Sequence, residues 1–122
     1  MFTFAKNIQP YIHAELQQAK QARAKQDYAQ EFKHLENAHV LGQQSTYHHT
    51  RIHCLMLLWG IRQHKPREII GQLLRVVGAV TKTAVGLIPE GNTGGSNISP
   101  FKPLALSTEH ASIIAMANKP KA

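Results

Sequence analysis

Four potential metal ligands fall within eighteen residues: Glu36 and His39 in the run HLENAH, then His49 and His53 in HHTRIH. Side chains three or four positions apart lie on one face of an α-helix, so each pair can act as a two-pronged donor set. Imidazoles and a carboxylate converging from neighbouring helices suit a first-row divalent ion, which takes three or four N, O or S donors at about 2.0 to 2.3 Å. Glu36 three positions before His39 also matches the Glu-x-x-His half-motif of di-iron bundles. A complete di-iron site needs a second such motif and further carboxylates, but the chain has only seven acidic residues. The expectation is therefore a single ion, zinc, nickel or cobalt, held by His39, His49 and His53 and assisted by Glu36. With four protein ligands such a site is closed and serves structure, sensing or buffering. With three ligands and an open position it activates water, and Glu36 or Glu68 then serves as general base.

The elements that carry these ligands follow from apolar periodicity and turn residues. A first helix runs from about Ile8 to Ala24 on the stripe Ile12, Leu16 and Ala19, with Pro10 confined to its first turn. Asp27 caps a second helix that carries Tyr28, Phe32, Leu35 and His39 inward, reaches about Val40 and stops at Gly42. A third begins at Ser45 or Thr46 and runs to about Gln63. It turns Ile52, Leu55, Met56 and Trp59 to the core, with His49 and His53 at the border of that stripe. The short link makes the second and third helices antiparallel neighbours and puts His39 and His49 at the same end. A fourth helix, from Lys65 and Pro66 to about Ala84, is apolar on most sides and expected to be the most buried. Its stripe of Glu68, Gln72 and Arg75 either pairs internally or faces the histidines. The stretch 86–106, with GLIPEGNTGGSNISPFKP, reads as an ordered loop; Ser107 or Thr108 caps a last helix to about Ala117, and 118–122 frays.

The predicted architecture is one all-α domain over 1–122: a four-helix bundle of two antiparallel hairpins over about 8–85, the loop, and a short C-terminal helix. Hydrophobic residues at 43% and charged ones at 17% are a globular composition. Lone Cys54 excludes an intramolecular disulfide and fits a reducing compartment, and its neighbours LMLLW suggest a packed thiol. No signal-peptide pattern opens the chain and no apolar run approaches the roughly 18 residues of a membrane span, so cytoplasm is the expected address. The net charge of +7 divides evenly, seven Lys and Arg in 1–62 and seven beyond, without a basic run. It reads as a solvated surface rather than a specific nucleic-acid interface. His13, His34, His48, His64 and His110 read as surface groups. The GNTGG stretch lacks the GxxxxGK[ST] pattern and a preceding strand, which favours a lid over a phosphate site.

Two resemblances accompany these patterns. DYAQEFKHLENAHVL is similar to the second helix of a tetratricopeptide hairpin, with Tyr28, Leu35 and Ala38 at matching places. It departs from that pattern at Glu31, where a small residue is usual, and at His39, where an aliphatic one is. The set LENAHVLGQ, HxxxH, REIIGQLLRVVGA and IPEGNTGGSNIS resembles a family of short bacterial proteins known as domain of unknown function 3703, from about Ala14 to Ile114. That resemblance implies no assigned activity and no catalytic residues. The functional expectation is a small protein that binds a divalent metal in metal handling or resistance. The alternative is a tetratricopeptide-like interaction module with structural histidines and a protein partner or homodimer. A third reading is a metal-dependent hydrolase or oxygenase roofed by GNTGG.

Overall fold

A computed structural model of the chain describes residues 2–82 and 106–119. Five helices, and no strand, occur among the described residues: α1 (Phe2–Ala24), α2 (Tyr28–Gly42), α3 (Thr46–Arg62), α4 (Pro66–Lys82) and α5 (Thr108–Ala117). The protein is all-α, with α1 against α2, α3 against α4, α2 joining the two hairpins, and α5 on α1 and α2. The expected loop over 86–106 lies outside the described residues except for its last position, as do the end of the fourth helix beyond Lys82 and most of the tail.

Helix α1 begins earlier than its pattern suggested, and Pro10 lies inside it. Phe4 and Ile8 extend the stripe of Ile12, Leu16 and Ala19, and all five are buried. Pro10 is exposed, so the backbone bond it cannot donate is lost on the solvated side, where water can replace it. The buried stripe continuing on both sides holds the helix together. The Asn7 amide also donates to the carbonyl of Ala117, 3.0 Å away, docking the end of α5 beside this segment.

The two hairpins turn in the same way. Asp27 N–H donates to Ala22 and Gln26 N–H to Arg23; likewise Lys65 N–H donates to Gly60 and His64 N–H to Ile61. This crossed pair of bonds closes a helix with one residue in the left-handed region, here Gln26 at φ 60° and His64 at φ 54°. Asp27 and Ser45 then accept from Gln30 N–H and His48 N–H, capping α2 and α3. Ser107 does the same for α5 through His110 N–H.

Gly42 is the last residue of α2 and not its stop signal. A methyl group there would come within 3.0 Å of both His48 Cβ and Ile12 Cδ1. Its missing side chain lets α1 and α3 close over the end of α2. The core formed beneath includes Ile8, Ile12, Leu35, Ala38, Leu41, Ile52 and Met56, with the rings of Phe32 and Trp59 4.4 Å apart and tilted by 49° at its edge.

Helix α4 departs most from expectation. Ile70, Leu73, Leu74 and Val77, one continuous stripe, are 52 to 71% exposed, so α4 is not the most buried helix. It turns its polar stripe inward instead, because the buried imidazoles of α3 require hydrogen-bond partners. Cys54 is exposed too, contrary to the packed thiol expected of LMLLW. It shares the outer face of α3 with Leu58 and Ile61, a second apolar stripe that the run of apolar letters conceals.

Candidate metal centre

His39 reaches the site from the last turn of α2, while His49 and His53 reach it from the first two turns of α3. The tight link between these helices, made by Gly42 and the Ser45 cap, brings the two turns side by side. All three rings are buried. Their Nε2 atoms form a nearly equilateral triangle: 2.9 Å from His49 to His39, 3.0 Å from His53 to His49, and 3.1 Å from His39 to His53. The ring centroids lie 4.6 to 4.7 Å apart, so the imidazoles meet at their nitrogen tips with rings inclined and not stacked.

The protonation state of one corner is fixed by its neighbours. His53 Nδ1 lies 2.6 Å from Gln72 Oε1, and Gln72 Nε2 lies 2.5 Å from Glu68 Oε2. A carboxylate only accepts, so the Gln72 amide must donate to Glu68 and present its oxygen to His53. His53 therefore carries its proton on Nδ1 and turns the Nε2 lone pair into the cluster. Gln72 has no solvent exposure, which holds this Glu68–Gln72–His53 relay in one arrangement. It is the kind of outer support that metal-ligating histidines receive.

Charge is withheld from the rings themselves. Burial lowers the pKa of His49 to about 3, helped by the neighbouring His53. Burial also lowers that of His53 to about 4; Gln72 and Glu68 oppose this shift and Arg75 adds to it. Both rings are neutral at physiological pH, the state in which imidazole is a ligand. Among the described residues, the group of His, Cys, Asp and Glu whose donor atoms converge is His39, His49 and His53, all within 4.8 Å of one another. The structure thus brings together three of the four residues singled out by spacing. Glu36, one turn before His39, is half-buried and is not part of that convergent group.

The other histidines separate into two kinds. His13 and His64 are exposed and His110 is half-buried, whereas His48 is buried, contrary to expectation. The close approach at Gly42 takes in His48, whose ring is accommodated by donating from Nε2 to the carbonyl of Ala5 at 2.9 Å. His34 pairs with Glu15 at 2.8 Å, and Asn37 donates to the same oxygen at 3.1 Å. The Glu31–Arg62 pair, which no spacing rule marks, joins α2 to α3 with contacts of 2.7 and 3.3 Å. Glu31 is also the acid at which the chain departs from the tetratricopeptide pattern, and Arg62 pairs with it.

Fold and site together define a helical protein with a buried three-histidine cluster able to hold a metal ion. The chain matches the family described as "Protein of unknown function (DUF3703)" over residues 6–114, and it belongs to that family. No curated protein and no solved structure matches it. Among the described residues, no helix is long and apolar enough to cross a membrane.

Proposed function

We propose that this protein binds one divalent transition-metal ion through Nε2 of His39, His49 and His53, and that it serves metal handling or resistance. The observation that carries this reading is the triangle of three buried imidazole nitrogens with sides of 2.9 to 3.1 Å. The Nε2 lone pair of His53 points into this triangle, and burial disfavours the cationic form of His49 and His53, so the rings are neutral donors suited to a cation placed among them. Zinc, nickel and cobalt each take imidazole nitrogen at about 2.0 to 2.1 Å, and these three nitrogens would hold such an ion with little movement of the rings. Glu36, one turn before His39 and outside the convergent group, assists through bound water, and Glu68 balances charge through Gln72.

Metal analysis of protein purified without a histidine tag, followed by cobalt(II) titration read in the visible spectrum, tests the proposal. The expected result is one ion per chain and a saturable spectrum that is lost in the His49→Ala/His53→Ala double variant. Weak absorption marks six-coordination and intense absorption four-coordination. The absence of binding and of thermal stabilisation by cobalt, nickel and zinc alike would sink the proposal.

A further inference from the structure

A second polar feature lies on the opposite side of α3 and shares no residue with the imidazole cluster. A cavity of about 220 Å³ opens between α1 and α3 above α2. His13, Lys20 and Arg23 border it from α1, Arg51 and Arg62 from α3, and Glu31 from α2; Leu16, Leu35, Leu55 and Leu58 supply its apolar wall. Four of the fourteen Lys and Arg scattered along the sequence are brought together here by the fold. Glu31, 5% exposed, occupies the Arg62 guanidinium through both of its oxygens. Lys20, Arg23 and Arg51 make no ion pair or side-chain hydrogen bond with another described residue. The lining therefore has four Lys and Arg against one carboxylate, an excess of three positive charges around one concavity. Like charges confined around a cleft repel one another and focus a positive potential into it, which an anion relieves. A guanidinium offers paired N–H groups to a carboxylate or phosphate.

We propose that this cavity binds a small organic anion, with its carboxylate or phosphate taken by Lys20, Arg23 and Arg51 and its apolar body seated on the leucines. The leucine wall argues against inorganic phosphate as the natural occupant. The volume, below the ~300 to 1,000 Å³ of clefts for drug-sized ligands, argues for a small molecule. The buried Glu31–Arg62 pair stiffens one wall, so part of the ordering needed for binding is already present.

The test is ¹⁵N-resolved NMR of the full chain, titrated with octanoate, octyl phosphate, octylammonium, inorganic phosphate and a hexaglutamate peptide. Octanoate or octyl phosphate is expected to shift amides of residues 13–23 and 51–62 saturably. Lys20→Gln and Arg51→Gln, both at exposed positions, are each expected to weaken that binding by about tenfold while cobalt affinity stays unchanged. Octylammonium binding equally well would overturn the proposal by showing an apolar site alone. Inorganic phosphate binding equally well would overturn it by showing charge alone, and tighter binding of hexaglutamate would replace the small anion with a protein partner. No saturable shift with either octyl anion would also overturn it.

Discussion

On one face of α3, His49 and His53 lie beside Ile52 and Met56, shut away from water. On another, Arg51 and Arg62 border an open cavity with Leu55 and Leu58. Both faces combine nitrogen bases with apolar side chains, yet they do opposite electrostatic work. In the dry face, burial disfavours imidazolium and leaves neutral rings, which suit a cation. In the wet face the side chains are Lys and Arg, whose N–H donors suit an anion. Residue type and depth act together: burial keeps imidazole, which titrates near neutrality, in its neutral ligand form, whereas guanidinium stays charged and presents donors to an anion.

The largest effect should come from removing a corner of the imidazole triangle. If about 10 to 16 kcal/mol of structural metal binding is divided among four ligands, one imidazole accounts for roughly 3 kcal/mol. His53→Ala is therefore expected to weaken cobalt affinity by about 100-fold or more in equilibrium dialysis. Arg51→Ala, two positions away on the wet face, should leave that affinity unchanged, and an equal loss in both variants would erase the distinction between the faces. Gln72→Leu should weaken metal binding by about 10- to 100-fold, because His53 loses the partner that fixes its tautomer. That variant retains all three ligands, so unchanged affinity would remove the relay from the site.

Titration separates the faces in a different way. In the metal-free protein, His49 and His53 have folded pKa values of about 3 and about 4, both below the ordinary 6.5. The unfolded chain binds the extra protons, so their contribution to stability is full above pH 6.5 and is lost progressively as pH falls toward 4. Urea unfolding between pH 7 and 4 should show this decline, with proton uptake on unfolding approaching two. His49→Ala/His53→Ala should flatten the profile, whereas Arg51→Ala should not. Glu31→Gln should cost about 1 to 2 kcal/mol by breaking a largely buried but Arg-solvated pair, with no change in cobalt affinity. The smallest effect belongs to the turns: Gln26→Gly or His64→Gly should stabilise by about 0.5 kcal/mol, since glycine enters the left-handed region without a Cβ penalty.

The histidine cluster was legible because both halves of the argument are local. His49 and His53 share a helical face by spacing, and the three-residue link from α2 to α3 leaves His39 nowhere else to go. The caps at Asp27, Ser45 and Ser107 were legible for the same reason. What could not be read was which of two apolar stripes a helix buries. In α4 the outward turn of Ile70, Leu73, Leu74 and Val77 depends on the needs of buried imidazoles on another helix. Cys54 and His48 were misplaced by the same blindness to neighbours. The basic cavity is the extreme case: Lys20 and Arg51 are separated by 31 positions, and only the packing of α1 and α3 across α2 makes them one feature.

His39 belongs to the first hairpin, whereas His49 and His53 belong to the second. An ion held among them would rivet two separately turned hairpins together, and it could leave only as the rivet yields. Retention time would then be governed by how often α2 and α3 part, so loading and release become mechanical events of the fold as much as equilibria of the ligands.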